Sequence, residues 1–228
     1  MTRSDVEPKA SKAYKGIAME GPLATWYAKV TLKDVSRHKL MAEQLSKKIA
    51  SGSRVLEIAP GPGYFCIELA KLGDYEITGL DISKSFVEIA RRNAAEANVK
   101  VDFRQGNASD TPFANETFDF TFCQAAFKNF AQPIKAIAEM YRVLSPHGTA
   151  VIVDLRRDAS RQEIDRHIKT MGLSRINELL TRWTFRLMLL KRAYTATEME
   201  TFVAQTPFGK CKISDDNAGI GFQVWLEK

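Results

Sequence analysis

The sequence predicts an α/β domain with a doubly wound, mostly parallel sheet, and three observations carry that expectation. Between residues 51 and 156, strand-like apolar runs alternate with helix-like amphipathic runs, the pattern of right-handed strand–helix–strand crossovers. Two of the strand candidates, VLEIA and TAVIVDL, are nearly continuous in apolar residues, as strands covered on both faces should be. After residue 156 the alternation stops, and strand signals return only in the last residues of the chain.

Taken in order, residues 1–15 are polar and read as loosely held. The stretch MEGPLATWYAKVT carries Trp26 and Tyr27 in a Gly/Pro-containing context. Residues 33–50 read as an amphipathic helix, with Val35, Leu40, Met41, Leu45 and Ile49 near the helical period. SRVLEIA is the first strand, and YFCIELAKLG a helix stopped near Gly73. YEITGLDI is a second strand, and SKSFVEIARRNAAEAN a helix with Ser83 as its N-cap. VKVDFRQGNA and ETFDFTFCQAAF hold the third and fourth strands. AQPIKAIAEMYRVLSPHG is a helix ended by Pro146 and Gly148, and GTAVIVDLR is the fifth strand. Residues 158–192 read as helices without a strand between them. TATEMETFVAQ is a helix opening on a capping box at Thr195 or Thr197. KCKISDD and GFQVWLEK form a terminal antiparallel pair, bringing the sheet to seven strands. Four parts follow: a helical cap over 1–50, the α/β core over 51–157, a basic helical lid over 158–193, and a helix with the strand pair over 194–228.

The loop after the first strand, EIAPGPGY, points to a ligand. Gly61 and Gly63 remove side chains where backbone can pass close to a bound molecule, and Pro60 and Pro62 stiffen the turn. Glu57 ends the first strand, and Asp81 ends the second, 18 residues after Gly63. A carboxylate at that second position can accept two hydrogen bonds from ribose hydroxyls. A dinucleotide fits poorly: Cys66 stands where the third glycine of its fingerprint belongs, and Glu57 repels a pyrophosphate. A nucleoside cofactor carrying positive charge suits Glu57 better.

VLEIAPGPGY followed by ITGLDIS resembles the glycine motif and second-strand acid of the class I S-adenosylmethionine-dependent methyltransferases, whose fold is Rossmann-like. VDFRQGNASDTPFANETFDFTFCQAAFKNF, EMYRVLSPHGTAVIVD and YTATEMETFVAQTPFG are similar to later parts of that family, over about residues 50–157 and 194–228. The detailed pattern is nearest to small-molecule enzymes of the ubiquinone and menaquinone type. The chain departs in two places: Ala59 replaces the first glycine of the motif, and Asn107 replaces the usual Asp at the adenine. The resemblance implies S-adenosyl-L-methionine as cofactor. It implies that Glu57 faces the methionine amino group and that Ala59, Gly61 and Gly63 form the loop along methionine and ribose. By the same resemblance Asp81 holds the ribose, Ile82 packs on adenine, Asn107 and Ala108 meet its edge, and Gln124 lies near the methionine portion.

Methyl transfer by in-line displacement needs positioning more than acid–base chemistry, so no base is assigned. Candidates for a catalytic role are Lys128, Tyr64, Tyr27 and Asp154. Lys128 follows the fourth strand, as an anchor for an acidic substrate, a base, or a surface lysine. Asp154 and Arg156 end the fifth strand, pairing with each other or touching substrate. Tyr64 follows Gly63 and can close over the methionine end, and Trp26 and Tyr27 can close a lid. His38 and His167 lie within reach of a pocket, whereas His147 reads as solvated; no pair is spaced like metal ligands.

The chain carries a formal charge of +6, and residues 155–193 alone hold ten Lys or Arg against four Asp or Glu. That segment favours an anionic partner or a solvated basic face. Its stretch ELLTRWTFRLMLLKRAY, with Arg182 and Arg186, reads as a lid, a homodimer interface or a membrane-surface helix. An apolar lid favours a hydrophobic or aromatic methyl acceptor, and its arginines a carboxylate. No run is long and apolar enough for a transmembrane helix, and the three cysteines lack metal or disulfide spacing, so a cytoplasmic protein is expected. A nucleic-acid methyltransferase and a cofactor-binding module without catalysis are the competing functions. Against the first, CQAAFKNF is not the Asn/Asp-Pro-Pro-aromatic signature of base methylation.

Overall fold

The computed structural model describes residues 14–15, 19–32, 35–170, 175–184, 189–216 and 219–228. The chain runs through helices α1 (Gly21–Thr31) and α2 (Val35–Ser46), then strand β1 (Arg54–Ile58), α3 (Tyr64–Ala70), β2 (Glu76–Asp81), α4 (Lys84–Glu96) and β3 (Asp102–Gln105). It continues through β4 (Phe118–Gln124), α5 (Pro133–Val143), β5 (Leu144–Leu155), α6 (Arg161–Thr170), α7 (Arg175–Thr184), α8 (Leu190–Arg192), α9 (Ala196–Ala204), β6 (Lys212–Asp215) and β7 (Gly221–Glu227). The seven strands lie in the order β3-β2-β1-β4-β5-β7-β6. The first five are parallel, and β7 runs antiparallel to both β5 and β6. Winding reverses between β1 and β4, so the crevice of the sheet opens at the carboxyl ends of those strands.

The continuous apolar runs are explained by burial on both faces. Along β1, Val55 joins a core with Phe65, Phe103, Phe122 and Val151 on one side of the sheet. Leu56 and Ile58 join a second core with Met140, Leu144, Ile152 and Val224 on the other. Ser83 caps α4 by accepting from the amide of Phe86 at 3.0 Å. Thr195 and Glu198 form the capping box of α9.

The structure moves several expected features. Residues 21–31 form a full helix: Gly21 enters it at φ 55°, and Pro22 occupies the first turn, where a missing N–H costs nothing. In α2 the buried stripe is Met41, Ala42 and Leu45, continued by Ile49, whereas Leu40 faces solvent about 100° round the helix from Met41. Helix α5 ends at Val143, ahead of Pro146, and the strand takes over at once. All three thiols are free, with Cys66 and Cys123 buried. Of the stretch 178–194, residues 185–188, and Arg186 with them, lie outside the described residues. In α7, Leu179 and Trp183 are 68% and 61% exposed, and Arg182 turns toward Asp165 of α6 at 3.4 Å. Within that helix those two apolar residues face outward, while farther along the stretch Leu190 is buried and Leu189 lines a cavity. Among the described residues, no helix is long and apolar enough to cross a membrane.

Candidate functional site

A cavity of about 690 Å³ lies across the carboxyl ends of the strands, within the range that ligand pockets occupy. Its lining reaches from Ile82 and Asn107 beside β2 and β3 to Leu155 and Ile220 beside β5 and β7. It gathers Glu57, Ala59, Gly61, Tyr64, Asp81, Ile82, Asn107, Ala108 and Gln124, together with Tyr27, Lys128 and Asp154.

Gly63 is the exception. A Cβ there would meet the ring of Phe103 at 2.7 Å and Ala90 at 3.0 Å, and its φ is 81°. Its task is to let the turn press against β3 and α4 rather than to line the cavity. Gly61 lines the cavity; it also has positive φ, but a Cβ there would meet no atom within 4 Å. Ala59 holds φ 58°, a left-handed conformation that costs an L-residue roughly 1–2 kcal/mol. The backbone demand behind the usual glycine is therefore present, and this chain meets it at a cost.

Asp81 organises the loop. One carboxylate oxygen accepts from the amide of Gly61 at 2.9 Å, the other from that of Ser83 at 2.9 Å. Burial pushes its pKa up to about 6 against those two bonds. Glu57 is wholly buried beneath the loop and accepts from the Cys66 thiol, Sγ to Oε2, at 2.9 Å. Burial pushes Glu57 up to about 7, with the charge of Asp81 adding to the effect. Among the described residues neither carboxylate has a cationic partner. Nearby, Gln124 keeps its Oε1 buried without a hydrogen-bond partner. The side-chain oxygen of Asn107 accepts from the amide of Ser109 at 3.0 Å, leaving it one lone pair.

This acceptor set fits S-adenosyl-L-methionine: two carboxylates without a cation and an orphaned amide oxygen call for hydroxyls and a cationic ligand. Glu57, Asp81 and Gln124 are the residues that would hold it. Methyl transfer would be the chemistry that such a cofactor supplies.

The opposite wall differs from expectation. Lys128 is buried, not on the surface, and its ammonium lies 2.7 Å from Asp154 Oδ1 while its amide donates to Oδ2 at 2.9 Å. Asp154 therefore pairs with Lys128, and Arg156 pairs instead with Asp158 and Asp215 at 3.0 and 2.8 Å. Tyr64 donates its hydroxyl to the Ala28 carbonyl at 2.8 Å, tying α1 to the loop. Tyr27 packs edge-on against Phe86, with ring centroids 5.7 Å apart. Trp26, expected in a lid, is 59% exposed and off the cavity.

Both His38 and His167 line the cavity, joined by Tyr14, Glu20, Arg37, Arg192 and Asp216. Glu20 accepts from the first amides of α4, at Lys84 and Ser85, both at 3.0 Å. The only local signal for these residues was the pair of histidines. The rest come from both ends of the chain, and no spacing rule connects them.

Comparison with known proteins completes the picture. A family model for a methyltransferase domain matches residues 56–152. The demethylmenaquinone methyltransferase of Deinococcus radiodurans is 31% identical over 167 residues, covering 70% of this chain and 69% of that protein. The ubiquinone biosynthesis O-methyltransferase of Mesorhizobium japonicum is 33% identical over 133 residues, covering 58% of this chain and 49% of its own length. A solved S-adenosyl-L-methionine-dependent methyltransferase structure from Methanococcus maripaludis superposes with TM-score 0.75 at 19% identity, covering 96% of this chain and 97% of that one.

Proposed function

We propose that this chain, which belongs to the class I S-adenosylmethionine-dependent methyltransferases of the ubiquinone and menaquinone type, methylates a small apolar or aromatic molecule seated over the ends of β4 and β5. The observation that carries this reading is the continuity of the cavity. It runs from the carboxylate of Asp81 past Gln124 to an apolar wall of Tyr14, Phe130, Leu155, Leu189 and Ile220. Such a cavity has room on one side of the winding reversal for a nucleoside and on the other for an acceptor.

In this reading Asp81 accepts from ribose hydroxyls, and Gly61 keeps the loop clear of side chain. Glu57 and Gln124 face the ammonium of the methionine portion. Ile82 packs on the adenine, whose edge meets Asn107 and Ala108. Tyr64 and Tyr27 close the side nearest α1. Lys128, held by Asp154, acts as a hydrogen-bond donor toward an acceptor oxygen and not as a base, because its ammonium is already paired. Fixing the two reactants about 3 to 3.5 Å apart and in line supplies roughly 7–11 kcal/mol of the barrier. The names of the two curated relatives support an aromatic ring of the quinol kind as the acceptor framework.

The test is transfer of label from methyl-tritiated cofactor to a panel of hydroxylated aromatics and quinols, with RNA and DNA as parallel acceptors. Label in a small aromatic product is expected. Label in nucleic acid, with steep loss at rising salt, would shift the function to the competing class. Tight cofactor binding with no label moved would leave a binding module.

A further inference from the structure

The cavity is electrically divided, and the division follows the sheet. Beside β1 and β2 it is lined by Glu57 and Asp81, neither paired with a cation among the described residues. Toward β5 and β7 it is lined by three cations, Lys128, Arg37 and Arg192. Lys128 has its charge balanced by Asp154 at 2.7 Å. Arg37 makes only a long ion pair: its Nη2 lies 4.0 Å from Asp216 Oδ2, too far for a hydrogen bond. Asp216 meanwhile spends its Oδ1 on the amides of Ile220 and Gly221, at 3.2 and 3.1 Å. Arg192 has no ion pair among the described residues, and it stands near the phenol of Tyr14, where its charge opposes the rise that burial causes. His167, beside Arg37, is pushed below its ordinary value by burial and by the Arg37 charge, against the pull of Asp216. Arg37, held only by a long ion pair, and Arg192, without one among the described residues, thus line the cavity away from the two carboxylates.

We infer that Arg37 and Arg192 form a subsite for a carboxylate carried by the methyl acceptor, which seats the acceptor's ring toward Gln124 and the winding reversal. This rests on the methyltransferase reading of the same cavity. A guanidinium binds a carboxylate through paired, charge-assisted donors, whereas an uncharged amide of the same shape gains far less. The subsite therefore selects acids over their amides. The cofactor's own carboxylate is the other source of the same chemistry, and the experiment separates the two.

The full chain, saturated with S-adenosylhomocysteine, is titrated calorimetrically with benzoate and 2-naphthoate and with the matching amides. At least one acid is expected to bind about tenfold tighter than its amide. Arg37→Gln and Arg192→Gln should each cut that preference to about threefold or less while leaving the melting temperature and S-adenosylhomocysteine affinity nearly unchanged. Arg37→Lys, which keeps the charge without the fork, should retain part of the preference. Absence of any acid preference in the unmodified protein would overturn the inference. So would an Arg37→Gln variant that weakens S-adenosylhomocysteine but not 5′-methylthioadenosine, since the arginine would then serve the cofactor's carboxylate. If S-adenosylhomocysteine does not bind at all, the cofactor reading fails separately, and acid preference in the unliganded chain still decides the subsite.

Discussion

At the amino end of the sheet, Asp119 of β4 is gripped by Arg54 of β1, with Nη2 to Oδ1 at 2.7 Å and Nε to Oδ2 at 3.1 Å, and Ser145 adds a bond at 2.9 Å. At the carboxyl end, Glu57 and Asp81 sit on β1 and β2 with no cation beside them among the described residues. The Arg54 guanidinium holds Asp119 down at about 2, while burial lifts Glu57 to about 7 and Asp81 to about 6. One sheet thus carries a settled acid at one end and two unsettled ones at the other. Carboxylates left buried and uncompensated cost stability, so they mark where a ligand is expected to complete the electrostatics.

The largest effect expected from breaking this contrast lies in the loop that supports the unsettled end. Gly63→Ala sets a Cβ 2.7 Å from Phe103 and forces positive φ on alanine, so it should cost about 3 kcal/mol in denaturant unfolding. A loss under about 1 kcal/mol would show that the turn relaxes and that the glycine is dispensable.

Asp81→Ala should weaken S-adenosylhomocysteine binding by about 1.5–3 kcal/mol in calorimetry. Unchanged affinity would remove Asp81 from the ribose.

The pH response gives the next effect. Glu57 is lifted from 4.5 to about 7, so the unliganded protein binds more protons than the unfolded chain between those values. Stability should therefore fall as pH rises through that window, with Asp81 contributing below about 6. A cationic ligand favours the ionised acid, so cofactor affinity should rise across the same window, by about three- to tenfold per pH unit below 6. A flat affinity profile from pH 5 to about 7.5 would sever Glu57 from the cofactor.

Asp119→Asn, at the settled end, gives the smallest effect. A loss of about 0.5–1 kcal/mol is expected, since the pair is partly exposed and screened, with cofactor affinity untouched. The folded-state value is depressed from 3.8 to about 2, so the stabilisation is full above the first and disappears as pH falls through the second. A change in cofactor affinity in this variant would blur the distinction between the two ends.

What the sequence disclosed and what it hid follow the same geometry. Strand positions, the Ser83 cap and the Thr195 capping box depend on neighbours within a few residues, so they were legible. Glu57 and Asp81 were legible because strand ends in a parallel sheet share one rim. Helix α1 was obscured because Gly21 and Pro22 look like loop residues, although they are well suited to starting a helix. Lys128 was ambiguous because its partner, Asp154, lies 26 residues away and becomes adjacent only when β4 and β5 pair. Arg37, Tyr14 and Asp216 converge from opposite ends of the chain, which no local pattern encodes.

The contact between Cys66 and Glu57 has a further consequence for how the protein meets reactive chemicals. Burial and the neighbouring acid push the thiol well above its ordinary value. A thiol that stays protonated and shielded is a poor nucleophile toward alkylating agents and peroxide. The cradle under the first strand should stay chemically inert while the chain is folded. Labelling of Cys66 by an alkylating agent would then time the opening of the core itself.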